Sequence, residues 1–148
     1  MSYNNLRKGR FSSANQLYFV TVVVRERRAI FSDLYCARIL VAILRELENE
    51  GLVSWLSWVV MPDHFHGLIQ LKSGDISTVM KLLKGRSASR LNQHLSLAGA
   101  FWQPSFFDRA LRREEDVKAI ARYIVANPLR AGLVEDIGLY SHWDAIWL

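Results

Sequence analysis

Two histidines separated by one residue, His64 and His66, and a tyrosine followed four residues later by an asparagine, Tyr123 and Asn127, have the types and spacing to do chemistry. Side chains alternate between the faces of a β-strand, so His64 and His66 point one way and Phe65 the other. At the usual rise per residue their Cβ atoms lie about 7 Å apart, near enough for both rings to turn onto one metal ion. The bland alternative is one buried imidazole and one solvated. The setting favours the metal: an apolar strand, 52–61, precedes the pair, and Pro62-Asp63 marks a tight turn that delivers both rings on a hairpin. Tyr123 and Asn127 are i,i+4 neighbours on a helix and so address one ligand together. Ordinary packing accounts for Tyr18 and Tyr35, whereas the polar Asn one turn beyond Tyr123 argues for a site.

The elements that must position these groups are legible from periodicity. Residues 17–25 are rich in β-branched and aromatic types and form a first strand, its near-continuous apolar run suited to a central place. Ser32 or Asp33 can cap a helix over 34–50, whose Ala37, Leu40, Val41, Ile43, Leu44 and Leu47 make a broad apolar stripe, with Gly51 at its end. Strands at 52–60 and 65–71 follow, and then a helix over 76–95. Residues 101–111 read as a strand entered through a Pro turn. A last helix starts at the acidic run 114–116, which suits the positive end of a helix dipole, and ends near Asn127 because Pro128 disfavours helical geometry before it. The expected count is four strands, two helices and then the last helix, in one domain spanning 1–148.

Lys and Arg outnumber Asp and Glu by 19 to 14, a net charge of +5, so the surface should attract polyanions, nucleic acid first among them. Lys81, Lys84, Arg86 and Arg90 lie along the 76–95 helix without acidic partners after Asp75; they make either a solvated face or a phosphate-facing ridge. Arg25, with Arg27 and Arg28, gives the first strand a positive exit, and Arg109 and Arg112 carry charge at the 101–111 strand. The polar, basic arm of residues 1–14 is either a frayed terminus or a nucleic-acid contact in which Gly9 lets the backbone approach while Arg10 and Ser12 bind. The single Cys36 excludes an internal disulfide and a Cys-based zinc knuckle. With no apolar run near the roughly 18 residues that span a bilayer and no targeting segment, a cytoplasmic protein is expected.

Three stretches, MPDHFHGLI (61–69), WQPSFFDRALR (102–112) and ARYIVANPLRAGLV (121–134), resemble in order and spacing the REP-associated tyrosine transposases, a branch of the single-tyrosine HUH transposases. Gly9 to Ser12, Gly-Arg-Phe-Ser, is similar to the N-terminal signature of that branch. The resemblance implies an α+β fold, a ferredoxin-like antiparallel sheet with helices on one face. It further implies cleavage and rejoining of single-stranded DNA beside REP hairpins. On that resemblance His64 and His66 map to the metal-binding pair, Tyr123 to the nucleophile and Asn127 to the third ligand, where relatives often carry the longer Gln. Oxygen donors from DNA and water would complete the shell, which suits Mg²⁺ or Mn²⁺ better than a closed structural zinc. The product would be a 5′-phosphotyrosine and a 3′-hydroxyl, formed without a nucleotide cofactor. The expected partner is hairpin-bearing single-stranded DNA and not a membrane, the protein acting as monomer or homodimer at the nucleoid. Two rival functions are a hairpin-binding module that does not cut and a metal-dependent nuclease that uses water.

The apolar C-terminal tail, residues 140–148, holds two Trp residues and should dock on the domain. It either packs beside the sheet or lies across the DNA groove near Tyr123.

Overall fold

The computed structural model describes residues 15–112, 114–132 and 143–145. The β-branched run near the start forms strand β1 (Leu17–Val23). Asp33 then caps helix α1 (Leu34–Asn49), its carboxylate accepting from the backbone N–H groups of Tyr35 and Cys36 at 2.7 and 3.3 Å. Gly51, at φ +78°, ends the helix in a left-handed turn open to glycine, and the chain enters β2 (Val53–Met61). Pro62 and Asp63 turn it into β3 (His64–Leu71). Asp75 caps helix α2 (Ile76–Leu95) through the N–H of Thr78. Strand β4 (Phe107–Leu111), helix α3 (Glu114–Arg130) and a three-residue strand β5 (Trp143–Ala145) complete the order.

The five strands lie in the order β4-β1-β3-β2-β5, each neighbouring pair antiparallel. The first four, with α1 and α2 as crossovers, have the expected ferredoxin-like arrangement. Strand alternation divides the side chains between two cores. Tyr18, Val20, Val22, Phe65, Ile69 and Trp55 meet α1 and α2 in the larger one. Its indoles are satisfied: Trp55 Nε1 donates to Leu44 O at 2.8 Å, and Trp102 Nε1 to Ser87 Oγ at 2.9 Å. Each fully buried large apolar side chain there contributes about 1.5–3 kcal/mol. The smaller core joins Val59, Met61, Leu68 and Leu111 to Val117, Ala121 and Ile124 of α3.

Four expectations change. The helices occupy both faces of the sheet, because α3 brings its own apolar stripe to the side opposite α1 and α2. The 101–111 strand is shorter: Trp102 makes only an isolated bridge to Val24, Ser105 adopts φ +65°, and regular pairing begins at Phe107. Helix α3 runs through Pro128 to Arg130; proline removes one donor, but the Ala131 N–H reaches Asn127 O at 2.9 Å, so the ladder resumes. The tail adds a strand, with 143–145 pairing along the free edge of β2. That favours the packing role for this part of the tail, whereas the rest of 140–148 lies outside the described residues. No helix among the described residues is long and apolar enough to cross a membrane.

Candidate active site

Register builds the site. Thr21 of β1 pairs with His66 of β3, and His66 pairs with Val59 of β2, so His66 sits in the middle of the sheet on the α3 side. His64 follows on the same face, its ring centroid 4.6 Å from that of His66. The two rings therefore stand as the H-x-H spacing predicts, on one face of a central strand.

Each ring is held through one nitrogen. His64 Nδ1 lies 2.7 Å from Asp63 Oδ1, and Asp63 Oδ2 accepts from Arg27 Nη1 at 3.1 Å. Burial works against the charge on Asp63, but the hydrogen bonds from His64 and Arg27 outweigh it and hold the carboxyl below its ordinary range. An ionised carboxylate only accepts, so His64 Nδ1 carries a proton, and in the neutral ring the lone pair is on Nε2. His66, 9% exposed, has its Nδ1 2.8 Å from Thr21 Oγ1. With Nδ1–H donating to that hydroxyl, the lone pair of the neutral ring lies on Nε2. The Asp63 and Thr21 contacts are what a metal-binding imidazole requires behind it. Sequence reasoning missed Thr21, Arg27 and the supporting part of Asp63. Only strand register could have found Thr21, since it lies 45 residues from His66.

Helix α3 brings the tyrosine. Its Val117, Ala121, Ile124 and Val125 are buried, and Ser57 Oγ donates to Ala121 O at 3.4 Å, fixing the helix on the sheet. That leaves Tyr123 on the open flank, 43% exposed, with its ring 6.1 Å from His66 and 6.2 Å from Phe19. One turn on, Asn127 Nδ2 donates to Tyr123 O at 3.3 Å, which leaves Oδ1 as the hard donor of the amide. Among the described residues no group of three or more His, Cys, Asp or Glu forms a metal cluster. Two imidazoles and an amide oxygen are donor types that suit a divalent ion whose remaining positions are filled by outside oxygens.

The basic residues divide. Arg109 pairs with Phe19 across β4 and β1, on the histidine face, and is exposed. Arg25 and Arg112 are exposed at strand ends. The basic ridge on α2 lies on the face opposite the histidines, and three of its cations have partners supplied by distant residues. Arg86 Nη2 donates to Glu50 Oε1 at 2.8 Å, and Arg90 holds Glu46 through both guanidinium nitrogens. Lys84 is half-buried and donates to the carbonyls of Gln103 and Ser105 at 2.9 and 2.7 Å. These contacts give the charge a local use that 76–95 alone could not disclose. Lys81 remains exposed on the same helix. Gly9, Arg10 and Ser12 lie outside the described residues.

Residues 12–127 match the family model described as "Transposase IS200 like". The chain is similar to the REP-associated tyrosine transposase of Escherichia coli (strain K12), 27% identical over 126 residues, which cover 85% of this chain and 72% of that protein. It also matches a solved structure of a REP-associated tyrosine transposase bound to a REP hairpin, with a TM-score of 0.77 and 24% identity over 90% of this chain and 79% of that one. The latter likeness establishes the fold.

Proposed function

We propose, from the premise that this chain belongs to the IS200-like transposase family, that it cleaves and rejoins single-stranded DNA at hairpin elements of the REP type. Tyr123 is the nucleophile. The observation that carries this reading is an exposed phenol beside a pair of imidazoles whose Nδ1 atoms are both engaged from behind.

His64 and His66 through Nε2, and Asn127 through Oδ1, would hold Mg²⁺ or Mn²⁺. Such an ion, when bound, polarises the scissile phosphate and offsets charge on the departing oxygen. Tyr123 Oη forms a bond to phosphorus as the bond from phosphorus to O3′ breaks. The phenol loses its proton and the departing 3′-oxygen gains one, leaving a 5′-phosphotyrosine and a 3′-hydroxyl. One phosphoester replaces another, so attack by a second 3′-hydroxyl rejoins DNA with no nucleotide consumed. Helix α3, anchored by its buried stripe, would present Tyr123, whose ring stands 6.1 Å from that of His66, to the bound strand.

The test is incubation of the protein with labelled REP-type hairpin single strands and Mg²⁺ or Mn²⁺, followed by a denaturing protein gel. The label should migrate with the protein and be absent with Tyr123→Phe. Cleaved DNA without an adduct would point to water as nucleophile. Tight hairpin binding with no cleavage in either metal would leave only a binding module.

A further inference from the structure

A cavity of ≈ 290 Å³ opens beside the histidine row, where β1 and β4 meet the segment 103–107, and Thr21, Gln103, Ser105 and Phe107 are among its walls. Register fixes its place. Phe107 pairs with Thr21, and Thr21 pairs with His66, so three adjacent strands set these side chains in one line across the sheet. Phe107 is 43% exposed although both its chain neighbours, Phe106 and Asp108, are buried. Its ring meets Phe19 edge-on at 5.9 Å, and Phe19 meets Tyr123 at 6.2 Å. The half-buried Phe19 thus connects an exposed ring and a cavity to the nucleophile, over a span that one or two nucleotides of a single strand can cover.

The wall is held firmly. The Gln103 N–H donates to Val23 O at 2.8 Å, and Lys84 Nζ ties down the carbonyls of Gln103 and Ser105. Both main-chain groups of Gln103 are thereby engaged, and Gln103 lines the cavity with a side chain whose amide offers a donor and an acceptor. The volume is at the small end for ligand sites, enough for one planar ring system and not for a base pair. An aromatic floor with an amide and hydroxyls on the wall suits a nucleobase, which has a stacking face and a polar edge.

We propose that this cavity takes up one unpaired base of the DNA strand beside the phosphodiester that Tyr123 attacks, stacked on Phe107 and read at its edge by Gln103. The inference rests on Tyr123 as nucleophile for its position along the strand. The two residues have different signatures. Stacking tolerates any base, whereas an amide discriminates among base edges.

Binding of hairpin single strands to the full chain carrying Tyr123→Phe tests this without cleavage, with an abasic site placed at each unpaired position beside the hairpin in turn. At one position the abasic site should weaken binding roughly 5- to 150-fold, and Phe107→Ala should weaken binding of intact DNA equally while abolishing the effect of the abasic site. Phe107→Trp should restore the difference. Gln103→Ala should keep most of the affinity and flatten the preference among the four bases at that position. If Phe107→Ala weakens intact and abasic strands alike at every position, the base site is overturned. The adduct assay with Tyr123 intact reports the nucleophile separately. An adduct with no Phe107-dependent position overturns only the base site, and a Phe107-dependent position without an adduct overturns only the assignment of Tyr123.

Discussion

The two faces of the sheet are made by the same strands, residue by residue, yet they are finished differently. On the α1–α2 face, odd residues of β3 and even residues of β1 pass into a continuous core, and the helices above it are tied together by Arg86 and Arg90 with Glu50 and Glu46. On the α3 face, one helix covers only part of the surface, and a row of Phe107, Thr21 and His66 is reached from outside. On the sealed face Arg86, Arg90 and Lys84 are held by carboxylates and main-chain carbonyls of the protein itself. On the open face each imidazole is engaged from behind through Nδ1, by the Thr21 hydroxyl or the Asp63 carboxylate. A single strand thereby supplies a core and a site at once, each residue's face being decided by whether its number is odd or even.

Damage to one face should be separable from damage to the other. The largest expected effect is His66→Ala, or removal of divalent metal with a chelator. Either should slow strand cleavage by roughly a hundredfold to ten-thousandfold while hairpin affinity, which comes mainly from phosphate contacts, changes little. Retained cleavage in His66→Ala would place the metal elsewhere. Next, Phe65→Ala removes the neighbour that faces the opposite core and should cost about 3–5 kcal/mol of unfolding free energy by denaturant titration. Gly67→Ala probes the boundary: its added Cβ would stand 2.7 Å from Trp55 Cζ3 and 2.9 Å from Phe65 Cζ. Overpacking of that kind costs about 1–3 kcal/mol, and because Gly67 adjoins His66 a fall in cleavage should accompany the fall in stability. Asp63→Ala should reduce metal affinity or cleavage by about 10- to 100-fold with a melting temperature close to the parent's, since the carboxylate orients His64.

The smallest effect should come from Arg90→Ala. An exposed ion pair is worth at most about 1 kcal/mol, so stability should drop slightly and the salt dependence of DNA binding should not change. Hydrogen bonding to Arg90 and Arg86 holds the carboxyls of Glu46 and Glu50 below their ordinary range. Because the folded values are depressed, whatever these pairs add is complete at neutral pH and is lost as the pH falls through those lowered values. A loss of one unit of salt slope in Arg90→Ala would restore the helix as a DNA-facing ridge.

What the sequence disclosed follows from the range of each signal. His64 and His66, Tyr123 and Asn127, and the stripe of α1 are separated by two to four residues, and periodicity reads such spacings directly. Partners of Arg86 and Arg90 lie 36 and 44 residues away, at the end of α1 and within it, and the carbonyls that hold Lys84 carry no sequence signature at all. A window restricted to 76–95 sees only cations. Pro128 misled in the other direction, because near a helix end the loss of one donor is offset by packing of Ile124 and Val125 and by the following turn. The extra strand β5 was hidden for a further reason, namely that three residues on a sheet edge carry too little pattern to stand out from an apolar tail.

The register of β2 shifts between Trp55 and Ser57, where consecutive residues Ile69 and Leu68 of β3 face partners two apart. Leu56 is the unpaired residue. Before it the odd positions Val53 and Trp55 meet the larger core, and after it the even positions Trp58 and Val60 do. Removing Leu56 would join the two halves into an uninterrupted ladder with every remaining side chain on its present face. Deleting one residue from the paired stretch after the bulge, such as Val59, would instead turn the following part of the strand inside out. In this chain β2 therefore has one point where its length can change by a residue without turning the strand over, well before the hairpin that carries the histidines.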